Sequence, residues 1–264
     1  MNRIIVVLLL MVSLSSCTSK YQKILKSKDT DYKISMAEKY FKEKQYSRSQ
    51  QLFESVINFV KGTPRYEELY LMYANSYYLD KDYENAENLF KTFVEYFPNS
   101  TKAEEVDFLR AYTYYQRSPK AELDQTTTNR TITLMQTFID AHPGSEKAKE
   151  ATSVIDLCRA KLELKDYKTA TLYFDLALYR AAAISYGLLS DNYPDSKNAD
   201  KYKLLTLKAY YQFAENSFVD KQKERFDKVT EEYNDFVDRF SDSPLLPEAK
   251  KIKFKTDNIL KNIK

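Results

Sequence analysis

Three glycines, one histidine, two cysteines and no tryptophan in 264 residues set the first limits on this chain. A phosphate-cradling loop or a dinucleotide-binding turn needs several glycines close together, whereas Gly62, Gly144 and Gly187 stand far apart. Nucleotide-binding enzymes of those classes are excluded. A lone His142 removes zinc sites built on two or more histidines, and a Ser-His-Asp hydrolase would depend on that one ring. No catalytic residue, metal site or cofactor is expected. Charge of one sign is also lacking, since 41 Lys and Arg stand against 38 Asp and Glu, dispersed along the chain. No basic block of the kind that grips a phosphate backbone is present, and nucleic acid is not an expected partner.

Long apolar runs are absent too, apart from Ile4 to Val12. Nine residues cannot span a bilayer. With Arg3 before the run and Ser13, Ser15 and Ser16 after it, residues 1–16 read as a secretory signal. The junction Leu14-Ser15-Ser16-Cys17 resembles a bacterial lipobox, in which the thiol of Cys17 is acylated and the chain is cut before it. More than one acyl chain tethers a soluble domain stably where a single chain does not. The absence of Asp at position 18 points to sorting to the outer membrane. The absence of any acid before Asp29 argues against surface export, so the expected location is the periplasmic face of the outer membrane. Residues 17–30 are then the lipidated tether. With Cys17 acylated, Cys158 has no disulfide partner and is expected as a small buried hydrophobe.

What the chain has in excess is aromatic: 23 Tyr and 15 Phe. Beyond Asp31 the apolar residues recur at three and four, so the rest of the chain is expected to be all-α. The positions Ala74, Tyr77, Tyr83, Ala86, Phe90, Phe93 and Pro98 have the same spacing as Ala170, Tyr173, Tyr179, Ala182, Tyr186, Leu189 and Pro194. In such a set, alanines let two helices approach, aromatics fill the space beside them, and proline ends the second helix. After each proline comes a serine expected as a helix N-cap: Ser100, Ser145 and Ser196, with a degenerate fourth copy at Ser243 and Pro244 at a first helical position.

These offsets resemble the tetratricopeptide repeat, a helix-turn-helix unit of roughly 34 residues. The expected fold is a right-handed α-superhelix of about five such pairs. A first copy fits Ala37, Tyr40, Tyr46, Ser49 and Phe53, and a third runs from Ala111 and Tyr114 to Met135, Phe138 and Pro143 across an enlarged turn at Ser118 to Asn129. The fifth pair lies near Lys197 to Phe240, followed by a capping helix from Pro247 to Ile263. Asp166-Tyr167 imitates the turn at Asp82-Tyr83, but the offset to Pro194 and the lack of Pro or Gly between Ser145 and Tyr179 predict one long helix there. The expected halves are 31–145 and 146–264, the second opening with that long helix.

Projection of the repeat places Phe41, Tyr78, Tyr115 and Phe174 on the concave side, flanked by Tyr112 and Tyr167. Tyrosine offers much contact area at small entropic cost, which suits a peptide-binding strip. An equal reading of each ring is packing between neighbouring repeats. His142 replaces Phe97 and Tyr193 of the sister copies and is expected to pack or cap, and Glu104-Glu105 to favour a helix N-terminus.

A lipobox followed by such repeats, together with Tyr21-Gln22-Lys23-Ile24-Leu25-Lys26-Ser27, Arg117-Ser118-Pro119, Leu123-Asp124-Gln125-Thr126 and Tyr193-Pro194-Asp195-Ser196, resembles the BamD family of β-barrel assembly lipoproteins, in its Bacteroidetes versions. The resemblance implies a non-catalytic scaffold that binds the BamA-like β-barrel subunit and unfolded outer-membrane protein precursors. It further implies that the N-terminal repeats, with Phe41, Tyr78 and Tyr115, meet substrate and the C-terminal repeats meet BamA. Two rivals remain at this stage: another periplasmic repeat lipoprotein that coordinates cell-envelope enzymes, and a glycan hydrolase with two carboxylates in one cleft.

Overall fold

The computed structural model describes residues 20–263, so the signal segment and Cys17 lie outside the described residues. Among the described residues every regular element is helical. After a short α1 (residues 20–25) come α2 (Thr30–Lys42), α3 (Tyr46–Val56), a 3-10 turn (Ile57–Val60), α4 (Tyr66–Leu79), α5 (Tyr83–Tyr96), α6 (Ala103–Arg117) and α7 (Thr126–Ala141). The long α8 (Glu146–Asp175) is followed by α9 (Tyr179–Asn192), α10 (Ala199–Glu215), α11 (Val219–Arg239) and α12 (Leu246–Asn262). From α2 to α7, and again from α9 to α12, each helix packs against its neighbour in sequence, as tetratricopeptide-like hairpins do. No described helix is long and apolar enough to cross a membrane.

The chain forms two compact units: residues up to Pro119 with Gln125–Cys158, and Lys120–Asp124 with Arg159–Lys264. In the first, Ala37, Ala74, Ala86, Phe53, Phe90 and Phe93 are fully enclosed in one core, and Ala111, Met135, Phe138 and Cys158 in a second. In the other unit Ala170, Ala182, Tyr186 and Leu189 occupy the corresponding places. The repeat offsets thus mark helix crossings. Small side chains bring the backbones together while the rings close the volume around them. Ser49, which stands where sister copies have alanine, is buried without penalty because its hydroxyl donates to the Ala37 carbonyl at 2.9 Å.

The long helix expected between Ser145 and Tyr179 is present and runs straight through Asp166-Tyr167. The turns inside three hairpins share one geometry. Lys44, Lys81 and Ala177 take left-handed φ values of 59°, 65° and 59°. The next residue's amide reaches back to Tyr40, Tyr77 or Tyr173, and the left-handed residue's own amide reaches Phe41, Tyr78 or Phe174. This pair of bonds is the Schellman closure, usually built on glycine. Here the chain makes it without one.

Four local expectations need correction. Ser145 is the expected N-cap, since α8 starts at Glu146, but the other three serines are not: α6, α10 and α12 begin after Lys102, Asn198 and Leu245, which make no side-chain cap. Every one of the four serine oxygens accepts from the amide two residues on, in the first turn of α8 at Lys147 and in the turn before the helix at Lys102, Asn198 and Leu245. Its hydroxyl proton then goes to a carboxylate at or near the start of an earlier helix in the same unit, or midway along α8. Ser100 donates to Glu67 at 2.6 Å, Ser145 to Glu104 at 2.5 Å, Ser196 to Glu163 at 2.5 Å and Ser243 to Asp200 at 2.6 Å. Ser100, Ser196 and Ser243 sit further outside because in those copies the turn after the serine takes two more residues before the helix starts. For the same reason Pro244 lies in that turn, and Pro247 holds the early helical position in α12.

The enlarged turn is shorter than expected, since α7 already starts at Thr126, and it is folded rather than loose. Ala121 is buried, Lys165 donates to the Leu123 carbonyl at 2.6 Å, and Lys168 pairs with Glu122. Finally, α12 spans one residue earlier at each end than expected.

In the second unit the Lys203 ammonium is buried between α10 and α11, 2.6 Å from Glu232 and paired with Asp235. Removing one partner of a buried pair strands the other charge, so Lys203→Ala should cost about 3–5 kcal/mol. Lys223→Ala, at an exposed pair, should change stability by less than about 1 kcal/mol. Urea unfolding followed by circular dichroism compares the two. Ala177→Gly relieves a left-handed alanine and should raise stability by about 0.5–1 kcal/mol in the same assay, where a loss would contradict the turn geometry.

Candidate functional site

The six aromatic residues singled out from the repeat pattern are all half-buried. Phe41, Tyr78 and Phe174 share a local role. Each sits in the last turn of a first helix and meets, edge to face, the tyrosine that opens the second: Tyr46 at 5.8 Å, Tyr83 at 5.6 Å and Tyr179 at 5.3 Å between ring centroids. The Schellman turn forces this meeting, because it reverses the chain within a few residues and sets the two side chains across the hairpin mouth. Part of each ring is therefore spent on sealing its own turn, and the remainder faces outward.

In the first unit the structure brings together Tyr78, Tyr112 and Tyr115. Tyr112 lies 5.3 Å from Tyr115 and stacks on Phe108 at 5.6 Å, and Tyr78 also leans on Phe90 at 5.8 Å. The Tyr78 phenol is close enough to Tyr112 to sense its charge. Burial first, then the neighbouring Tyr112 and Tyr83 hydroxyls and Glu150, push the Tyr78 phenol up to about 12. Tyr115 is pushed up as well, by burial and then by Tyr112 and the Cys158 thiol. At neutral pH these groups are uncharged hydroxyls on an apolar floor. They can donate and accept single hydrogen bonds and offer ring faces to aliphatic or aromatic side chains, which is the chemistry of peptide recognition rather than of acid-base work.

Tyr167 and Phe174 belong to the second unit. Tyr167 lies 5.7 Å from Tyr202 and 6.3 Å from Tyr186, with the Lys201 ammonium 4.7 Å above its ring. Tyr202 donates to Glu163 at 2.6 Å, the same carboxylate that takes the Ser196 proton. Tyr167 is thus an interior face of a hydrogen-bonded cluster as much as an exposed surface. His142 packs at 4.7 Å on Phe138 and has Asp107 at 3.5 Å, closing the end of α7.

Sequence reasoning missed a groove of about 390 Å³ in the second unit, lined by Arg180, Tyr210, Phe213, Glu224, Arg225, Lys228 and Glu231. Arg225 stacks 4.0 Å over Phe213 and donates to Ser217, and Lys228 is held by Glu231 and Glu232. Arg180 engages in no ion pair among the described residues. Beside it an apolar shelf of Leu178, Ala181 and Ile184 continues from Phe213. The lining comes from three helices with no common short motif, so no local signal in the sequence marks it.

The raised Tyr78 phenol has a thermodynamic consequence. Its protonated form is favoured in the folded chain, so its stabilising contribution is full below pH 10 and is lost as pH rises through about 12. Tyr78→Phe should flatten the fall of the melting temperature across that interval relative to wild type, by roughly one proton of linkage. Thermal melts across the alkaline range check this, and identical slopes would contradict it.

No curated protein matches the chain. The profile of the YfiO family, outer membrane lipoprotein, matches residues 27–246, which covers all of the helical hairpins described above and the start of α12. The lipobox, the repeat offsets and this match agree, and the chain belongs to the YfiO outer membrane lipoprotein family, that of BamD.

Proposed function

We propose that the protein is a non-catalytic scaffold of the outer-membrane β-barrel assembly machinery, tethered through acylated Cys17 to the periplasmic face of the outer membrane. The observation that carries this reading is the family match over residues 27–246 of a chain built from stacked helical hairpins. Such hairpins present ready-made surfaces for other polypeptides.

In this reading the N-terminal half, residues 31–145, receives unfolded outer-membrane protein precursors at the face formed by Phe41, Tyr78, Tyr112 and Tyr115. Neutral phenols over an apolar floor suit an extended segment with alternating apolar side chains. The C-terminal half, from the long helix to residue 264, binds the BamA-like subunit. The groove around Arg180 and Phe213 supports this, because an unpaired guanidinium beside an apolar shelf favours a partner surface that joins a carboxylate to aliphatic side chains. Tyr167 and Phe174 flank the junction of the repeats in α8 and complete the set of recognition residues.

Affinity capture of the lipidated protein from detergent-solubilised membranes should recover a BamA-like β-barrel subunit. Recovery of cell-wall or division enzymes in its place would favour the alternative, a repeat lipoprotein that coordinates envelope enzymes. Arg180→Ala with Phe213→Ala should reduce recovery of the subunit at least about tenfold, as for loss of two interface anchors. Tyr78→Ala with Tyr115→Ala should weaken cross-linking to precursor peptides while leaving subunit capture unchanged. Loss of both activities in either variant would contradict the division of labour between the halves.

A further inference from the structure

The segment that follows the lipobox is unlike the rest of the surface. Between residues 20 and 28 the chain carries Lys20, Lys23, Lys26 and Lys28 and no acid, and the first carboxylate is Asp29. All four lysines are exposed, and none forms an ion pair among the described residues. Elsewhere lysines are commonly matched with acids one turn away, as in Lys39–Glu43, Lys102–Glu105, Lys147–Glu150 and Lys253–Asp257. The absence of such matching here leaves a local excess of positive charge.

That excess is held in place. Spacing of three sets Lys20, Lys23 and Lys26 side by side along α1 and the turn that ends it, all exposed, while Tyr21 and Ile24 are buried against the first repeat. Tyr21 donates to the Gln51 side chain at 2.9 Å and to the Arg48 carbonyl at 3.2 Å. Its ring meets Tyr40 at 5.7 Å, and the Arg48 guanidinium lies 5.4 Å from it. Asp29 is turned back onto the Tyr32 amide as the cap of α2. The groups that face α1 from the repeat therefore add a cation, Arg48, and no carboxylate from the capping Asp29. The lysine strip projects outward from a helix that cannot swing freely.

We infer that this strip is a binding surface for anionic phospholipid headgroups, which lays the first repeat against the leaflet that holds the anchor. Acyl chains and a basic strip are two independent membrane signals, and together they hold far more firmly than either does separately. Each lysine beside an anionic surface strengthens binding about fivefold at low ionic strength. Because α1 is clamped by Tyr21, headgroup contact fixes the orientation of the hairpins and not only their distance from the membrane. The inference rests on the acylation of Cys17 for its cellular meaning, but the surface is testable without the lipid.

The test uses the chain from residue 17 onward with Cys17→Ala, floated with phosphatidylcholine vesicles with or without phosphatidylglycerol. Wild type should float with the phosphatidylglycerol vesicles alone and lose binding as salt screens the charges. Changing Lys20, Lys23, Lys26 and Lys28 together to Gln should lower partitioning by nearly three orders of magnitude. The same four positions changed to Arg should retain it. A matched variant with Lys250, Lys251, Lys255 and Lys261 changed to Gln, four exposed lysines of α12, should float like wild type. The inference is overturned if wild type ignores phosphatidylglycerol, if the N-terminal Gln variant binds as well as wild type, if the α12 variant loses binding equally, or if inorganic phosphate displaces the chain far more readily than sodium chloride of equal ionic strength. Membrane capture of a β-barrel partner by the acylated protein is a separate readout, so either idea can fail alone.

Discussion

Close approach of helix backbones at alanine is the interaction from which the rest of the structure follows. Ala37, Ala74, Ala86, Ala111, Ala170 and Ala182 are all enclosed, and each lets a neighbouring helix come near enough for rings such as Phe53, Phe90, Phe93 and Phe138 to close the remaining space. A larger side chain at any of these points would push two hairpins apart and forfeit contacts on both sides. The aromatic richness of the chain has the same origin, since wide flat side chains fill the wedge beside a narrow crossing. The enclosed serine at Ser49 shows that size matters more than polarity there, provided the hydroxyl finds a carbonyl.

Polar ties follow the same repeat as the apolar ones. Four serines, Ser100, Ser145, Ser196 and Ser243, each accept an amide proton from the residue two positions on and donate to a carboxylate, Glu67, Glu104, Glu163 or Asp200. A charge-assisted bond of this kind is stronger than a neutral one and directional, so it fixes rotation where apolar packing fixes distance. The carboxylates lie on first helices, and the serines follow second helices. Each tie therefore joins one hairpin to the turn that leads out of it.

The hairpins, their order, the long α8 and the burial of Cys158 were legible in the spacing of Ala, Tyr and Phe and in the prolines. Helical periodicity and helix stops act over a few residues. The serine ties were not legible, because their acceptors stand thirty or more residues away and no local preference announces a distant carboxylate. The aromatic face was legible in part. Phe41, Tyr78 and Phe174 do occupy matching places, but the matching place is the closure of a turn. Of the six, only Tyr78, Tyr112 and Tyr115 come together as a group of half-buried phenols in one unit. The Arg180 groove drew on three helices and left no trace in the sequence.

Glycine scarcity shows where the line between the two kinds of information runs. Composition alone ruled out glycine-rich phosphate loops, and the spacing of small and large residues determined that hairpins would stack, since both depend on residue type and short-range geometry. That the turns would nevertheless adopt the left-handed conformation, at Lys44, Lys81 and Ala177, was decided by the packing of the helices they join. Local strain of that kind persists only when the contacts on either side outweigh it. The same holds for the recognition surfaces: residue types were set along the chain, but which of them stay open to a partner depends on how the finished hairpins cover one another.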